Sequence, residues 1–332
     1  MKKLPVTTVQ PNSKIKKSGL YDLTLSQYHS DCAWLPSASS SDLKLIADSG
    51  EEYYADSYYN EENNDEKARV KLHAEHFRFG TAAHAKILEP QKWINNYIMR
   101  PTKWNTWRTA DSKHWRWVQE YQKGMTVITK EDISRVDAMA RRIADDPICS
   151  ILFDTGIPEV SMFLETEFGV VMKSRPDMMS LRQDKKTKKV FLADNVLTDY
   201  KTTYDNSVGN CSRDIAKYGY DMKLANAALM VCRLFNIDFG TLDFCLVFQK
   251  TVKPFGITPI ELDNEYMFKL AAKNLYAAKL FAEGMAPMGQ WQGYSGDIIK
   301  YRPNGFYVER MEQFIQDGTY PNLDSKMRIV KS

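Results

Sequence analysis

Residues 160–203 read VSMFLETEFGVVMKSRPDMMSLRQDKKTKKVFLADNVLTDYKTT. Short apolar runs rich in Val, Leu, Met and Phe alternate here with turn residues, a strand-and-turn pattern. VSMFLETEF and GVVMKSRPDMMSL predict two strands joined around Glu167–Gly169, and VFLADNVLTDYKTT predicts a third after a polar turn. Asp177 lies on the second of these strands. Asp199 and Lys201 lie two apart on the third, so their side chains leave it on the same side. If the strands pair, two carboxylates and an ammonium converge. Such a site suits Mg²⁺, which takes hard oxygen ligands and keeps several waters. A bound cation of this kind would acidify water and neutralise a phosphate oxygen, while Lys201 could hold or deprotonate an attacking water. An isolated acid-x-lysine is common, so the weight rests on its setting after an apolar strand.

Outward from this block the period changes. Asp214 to Phe235 repeats apolar residues at helical spacing, DFCLVFQK and GITPIEL predict two further strands, and a helix runs from an Asp263 cap to Gly284. Upstream, Ser39, Ser40 or Ser41 could cap a helix near Asp42, the pattern from Phe79 to Leu88 is helical until Pro90, and EDISRVDAMARRIADD is an amphipathic helix stopped by Pro147. The order of elements predicts an α/β (α+β) fold around one central mixed sheet flanked by helices. We divide the chain into a basic flexible arm (1–20), a helical N-terminal part (21–150), a catalytic core (151–285) and a C-terminal extension (286–332). The arm has five lysines and no acid. The stretch 48–66, with eight acids, four tyrosines and no Lys or Arg, is expected to be a solvated insertion.

Composition narrows the class. The chain of 332 residues has 45 Lys+Arg against 42 Asp+Glu, a net charge of only +3, so nucleic-acid binding would have to come from local patterning. The acidic 48–66 segment offsets the basic arm, a Lys-rich turn at 185–189 and the stretch 100–123, where six Lys/Arg interleave with four tryptophans. Trp104, Trp107, Arg108, Lys113, Trp115 and Arg116 could stack on unpaired bases and track phosphates, or the tryptophans could be core. Five scattered cysteines, none in a C-x-x-C pair, argue for a reducing cytoplasm and against a disulfide scaffold. No run is long and apolar enough for a membrane span, no apolar segment follows the basic start as a secretory signal requires, and no phosphate loop of a motor occurs.

Phe77-Arg78-Phe79-Gly80-Thr-Ala-Ala-His84, Ile87-Leu-Glu-Pro90, Glu159-Val-Ser, Arg175-Pro-Asp177 and Asp199-Tyr-Lys201-Thr-Thr occur in that order. Together they resemble the PD-(D/E)XK nucleases of the RecB/RecE type, most closely the exodeoxyribonuclease VIII-like nuclease of phages and prophages. Leu25-Ser-Gln-Tyr28-His29, Ser39 to Lys44 and Lys130-Glu-Asp132 also match that group, and the likeness runs from about residue 24 to 260. It implies that His84, Asp177 and Asp199 ligate the metal with the Tyr200 backbone carbonyl, that Lys201 is the catalytic lysine, and that Glu159 is an accessory acid. From the residues alone His84 could equally be a satisfied helix histidine.

The resemblance further implies a Mg²⁺-dependent exonuclease, with Mn²⁺ as a substitute. It would act on double-stranded DNA ends from 5′ to 3′ and leave 3′ single-stranded tails for recombination by a single-strand annealing partner, working as a homo-oligomer. Endonuclease action, service as the nuclease subunit of a helicase complex, or weakly catalytic DNA-end binding are the alternatives. Cluster-bearing relatives need a C-terminal cysteine group; none follows Cys245, so no iron–sulfur cluster is expected. The family's Gln-x-x-x-Tyr is replaced by Lys223-Leu-Ala-Asn-Ala227. Tyr220 and Lys223 share a helical face, so Lys223 could contact a DNA phosphate, and Arg175 is a further candidate contact.

Overall fold

Pro176 decides the architecture. It has a fixed φ and no N–H to give to a ladder, so the apolar run 169–181 cannot continue as one strand. In the computed structural model, which describes residues 2–11, 13–60, 75–100, 125–154, 156–294, 305–317 and 319, the run divides at Arg175-Pro176-Asp177 into strands that belong to different sheets. The expected single mixed sheet is therefore two five-stranded ones.

In chain order, β1 (Val6–Thr8), β2 (Gly19–Asp22), α1 (Leu25–His29), β3 (Ser37–Ser39), α2 (Ser40–Asp48) and α3 (Gly50–Ala55) come first. Then come α4 (Glu75–Leu88), α5 (Pro90–Asn96), β4 (Tyr97–Met99), β5 (Thr126–Ile128), α6 (Lys130–Ala144) and α7 (Pro147–Asp154). The strands β6 (Ile157–Pro158), β7 (Ser161–Glu165), β8 (Val171–Ser174), β9 (Met178–Gln183) and β10 (Val190–Thr203) follow. The chain continues through α8 (Val208–Tyr218), α9 (Tyr220–Phe235), β11 (Asp243–Lys250), β12 (Ile257–Glu261) and α10 (Asn264–Met285). One sheet has the order β1-β2-β7-β8-β3, the other β12-β11-β10-β9-β6, and β4 pairs with β5 in a separate ladder. Residues 1–292 form one compact unit; the unit 293–332 contributes α11 (Gly305–Gln316).

The core lies around α9, whose Leu224, Ala225, Ala228 and Val231 are buried and which packs on β7 and β8 of one sheet and β10 of the other. Its apolar period is the one the sequence shows, but the helix expected from Asp214 breaks at Gly219, where φ is +63°. There a Cβ would stand 2.6 Å from Lys44 Cδ, so glycine serves both the left-handed turn and the close approach. Caps follow expectation: Ser39 and Asp42 form a reciprocal box at α2, and Asp263 accepts from the Tyr266 N–H at α10.

Two expectations fail. The N-terminal arm is not free: β1 pairs in parallel with β2, Leu4 bridges Val190, Ile15 is buried, and Lys3 meets Asp184 at 2.5 Å. Apolar and β-branched residues spaced between the lysines outweigh the charge. The segment 48–60 is not a solvated loop either. Tyr53 and Tyr59 pack against Phe281, and Tyr54 stacks on Trp291 at 5.1 Å, so the acids ride on an aromatic underside. The rest of that insertion, 61–66, lies outside the described residues.

A buried polar chain ties the elements around β10 together. The Tyr200 hydroxyl donates to Gln249 Oε1 of β11 at 2.6 Å, and Gln249 Nε2 donates to the Met139 carbonyl of α6 at 3.0 Å. In turn α6 packs on α4 through Val136 and Met139 against Ala82 and Ala83. We expect Tyr200→Phe to strand the Gln249 carbonyl and cost about 1–3 kcal/mol in chemical denaturation without unfolding the chain at room temperature.

Candidate active site

The break at Pro176 leaves Asp177 between the sheets, and β10 then delivers Asp199 and Lys201 beside it. β9 and β10 are antiparallel, with Thr198 opposite Met178; β10 and β11 are parallel, with Asp199 opposite Leu246. The Asp177 carboxylate accepts the Tyr200 N–H at 2.6 Å, and Lys201 Nζ lies 3.5 Å from it and 2.5 Å from Asp199 Oδ2. Lys201 also donates to the Tyr200 carbonyl at 3.1 Å.

His84 reaches the same point from α4. Gly80, one turn earlier, sets the helix close to β10: a Cβ there would lie 2.9 Å from Thr202 Oγ1. His84 Nε2 meets Asp177 Oδ2 at 2.9 Å while Nδ1 faces Glu159 Oε1 at 3.4 Å. Glu159 sits in the turn between β6 and β7 with φ +57°, a left-handed conformation uncommon for a residue with a side chain. Its N–H donates to the Asp177 carbonyl at 3.2 Å, and Arg175 Nε binds its carboxylate. The Arg175 guanidinium also donates to the Leu23 carbonyl at 2.7 Å and to Ser161 Oγ at 3.3 Å.

The donor atoms of His84, Glu159 and Asp177 lie within 4.8 Å of one another. One imidazole and two carboxylates are a donor set that fits a divalent cation, with Asp199 alongside. The sequence expectation had Asp199 in the first triplet and Glu159 as accessory. In the structure Glu159 is among the three grouped donors and Asp199 is held by Lys201. The Tyr200 carbonyl, expected as a ligand, accepts from Lys201.

The titrations follow from this crowding. Asp199 is raised from 3.8 to about 7, by burial first and by the Asp177 charge second. Burial works against ionised Asp177 too, yet the charges of His84 and Lys201 hold its carboxyl well below the usual range. Glu159 is raised by burial and by Asp177, against His84 and Arg175. His84 is raised although burial opposes its charge, because Asp177 accepts from it and Glu159 is near. Lys201 is raised in the same way by Asp177 and Asp199, so it stands as an ammonium suited to orienting water and offsetting charge rather than to taking a proton.

These residues open into a cleft of about 260 Å³ that is also lined by Leu25 and His29 of α1 and the serines at the start of α2. Lys223 lines it, with its ammonium 5.7 Å from the Tyr220 ring centroid and its pKa lowered by burial and by Lys201. Ala227 also lines it. Asn226 fixes that lining by donating to Ser40 Oγ at 2.8 Å and to the Lys173 carbonyl at 3.3 Å.

Of the candidate DNA contacts, Lys223 faces the cleft, and Tyr220 is half-buried against Phe248 with Lys201 5.2 Å from its ring centroid. Arg175 is a correction: its side chain is 9% exposed and committed to Glu159, Leu23 and Ser161, so it orients the acid rather than reaching out. Its position just before Pro-Asp was the available signal, because the strand break turns it back toward β7. Arg108, Lys113, Trp115 and Arg116, with Trp104 and Trp107, lie outside the described residues. Among the described residues, no helix is long and apolar enough to cross a membrane.

The raised groups make a sign-definite expectation. A carboxyl whose folded value lies above its unfolded one adds stability that is complete below about pH 3.8 and lost as pH rises through about 7, here for Asp199. Glu159 and His84 push the same way, and Asp177, held low, acts oppositely only at the acid end. The Tm of chelator-treated protein should therefore fall between about pH 5 and pH 8, and Asp199→Asn should flatten that fall. Thermal unfolding across that range checks it.

Comparison with known proteins adds the family. Residues 39–275 match the profile described as "PDDEXK-like domain of unknown function (DUF3799)". A crystal structure from Eubacterium rectale, described as a "putative exonuclease", is similar at 15% identity with a TM-score of 0.49, covering 86% of this chain and 98% of that one. No curated protein matches. The profile spans most of the chain, so the chain belongs to this family of PDDEXK-like domains.

Proposed function

We propose that the protein is a metal-dependent DNA exonuclease that hydrolyses phosphodiester bonds from the ends of linear duplex DNA. The observation that carries metal-dependent phosphodiester hydrolysis is the convergence of His84, Glu159 and Asp177 within 4.8 Å, with Asp199 and Lys201 paired alongside; action at duplex ends rests on the resemblance. A divalent cation bound there, Mg²⁺ or Mn²⁺, supplies Lewis acidity toward the phosphate and lowers the pKa of water. His84, Glu159, Asp177 and Asp199 would hold it, and Arg175 keeps Glu159 turned inward. Lys201, kept charged by two aspartates, orients the attacking water and offsets charge that builds on the phosphate. Lys223, which lines the same cleft, offers its ammonium to a neighbouring phosphate.

The direction of attack, 5′ to 3′ with 3′ tails left for a strand-annealing partner in recombination, rests on the resemblance to the RecE-type nucleases. So does a homo-oligomeric state, whereas a cytoplasmic setting rests on the scattered, unpaired cysteines. One observation favours a second reading. By the resemblance, Lys223 and Ala227 stand where RecB-type nucleases have glutamine and tyrosine, and a protein so altered could bind DNA ends while cutting them slowly.

One digestion series separates these readings. With Mg²⁺, wild type should release acid-soluble nucleotides from linear duplex and spare closed circles, and 5′-labelled ends should disappear before 3′-labelled ones. Asp199→Ala and Lys201→Ala should each reduce the rate at least about 10³-fold while the fold persists by circular dichroism. Full activity in both variants would overturn the assignment, as would equal cutting of circles for the exonuclease reading.

A further inference from the structure

The mechanism above gives no task to an exposed aromatic that lies one ring away from Lys201. Tyr218 ends α8 and is 44% exposed. Its ring stacks on Tyr220 with centroids 5.5 Å apart and planes at 30°. Tyr220 carries Lys201 on its ring at 5.2 Å and Lys223 at 5.7 Å, and it meets Phe248 of the core at 6.1 Å. Ring contacts thus run from the buried sheet, through a tilted Tyr220–Phe248 pair at 54° and past the two cleft lysines, to a stacked ring that meets solvent.

The support beneath Tyr218 is rigid for a surface residue. Gly219 follows it in the left-handed conformation, with the Lys44 methylenes closed over it, and Lys44 Nζ donates to the Lys217 carbonyl at 3.3 Å. Lys217 rests its ammonium 5.0 Å from the Tyr218 ring centroid. A long exposed lysine can yield that face to a flat base and keep its charge for the adjoining phosphate. A phenol ring fixed in this way offers contact area at little entropic cost, which is what base stacking uses.

We infer that Tyr218 is a stacking platform for an unpaired base of the substrate strand, adjacent to the phosphate held at Lys201 and Lys223. This rests on the nuclease reading, and it adds that the site receives an end whose terminal base is out of the duplex. Tyr218 is then a positioning residue for the substrate. The short separation from Lys201 through Tyr220 makes the partner a base near the attacked bond rather than one far along the strand.

The test uses the full chain and duplexes bearing 2-aminopurine at a mismatched 5′ terminus, with Ca²⁺ in place of Mg²⁺ so that binding is read without cleavage. Wild type should quench the probe. Tyr218→Ala should lose the quenching and bind such ends about 5- to 150-fold more weakly, the range for one stacked base. Tyr218→Phe should retain both, and Tyr276→Ala, an exposed aromatic on α10, should behave as wild type. With Mg²⁺ the Tyr218→Ala loss should fall mainly on KM, with kcat close to wild type. Quenching and affinity unchanged in Tyr218→Ala overturn the proposal. Absent cleavage by wild type with quenching that depends on Tyr218 would refute the nuclease reading and leave the platform standing.

Discussion

Two carboxylates that cannot comfortably share a buried place are held together, and the rest of the molecule is arranged around them. Asp177 and Asp199 are both largely withdrawn from water, at the seam where one sheet ends and the other begins. Burial and mutual repulsion both oppose their charge. Lys201, His84 and a backbone N–H answer it, and the remaining imbalance appears as an Asp199 carboxyl raised to about 7. A cation would relieve that repulsion, so the cost of assembling the site is also its affinity.

Holding such a cluster requires supports at several distances. The Tyr200 side chain turns away from the acids into the core and fixes α6 through Gln249; α6 supports α4, and α4 presents His84. The loop closes on Asp177, whose carboxylate takes both the His84 ring and the Tyr200 amide. Arg175 does the same service for Glu159 from the other side of the proline break. One residue of β10 therefore links the chemistry to the packing, which is why its neighbours on either side can be the reactive pair.

Much of this could be read from the residues. Asp199-x-Lys201 on an apolar strand, Gly80 one turn before His84, and Arg175-Pro-Asp177 carry local signals whose consequences hold in three dimensions. The α10 cap at Asp263 was equally plain, and the α2 cap was narrowed to three serines, of which Ser39 is the one. What escaped the reading depends on long-range partners. The lysines of residues 1–20 say nothing of β1 finding β2 or of Leu4 finding Val190. The acids after Asp48 conceal tyrosines whose place is set by Phe281 and Trp291, far along the chain. Arg175 resembled an outward cation because its partners, Leu23 and Glu159, come from segments that meet it only after folding. The division into two sheets was foreshadowed by Pro176, but strand order is a matter of topology that spacing does not reveal.

The central claim is that His84, Glu159, Asp177 and Asp199 form one cation site with Lys201 at its edge. Anomalous diffraction from Mn²⁺-loaded crystals tests it most directly. The account predicts a peak between the His84 imidazole and the Asp177 carboxylate, with Asp199 turned from Lys201 toward the ion. A Mn²⁺ peak elsewhere, or full loading with the five side chains undisturbed around an empty centre, would contradict it.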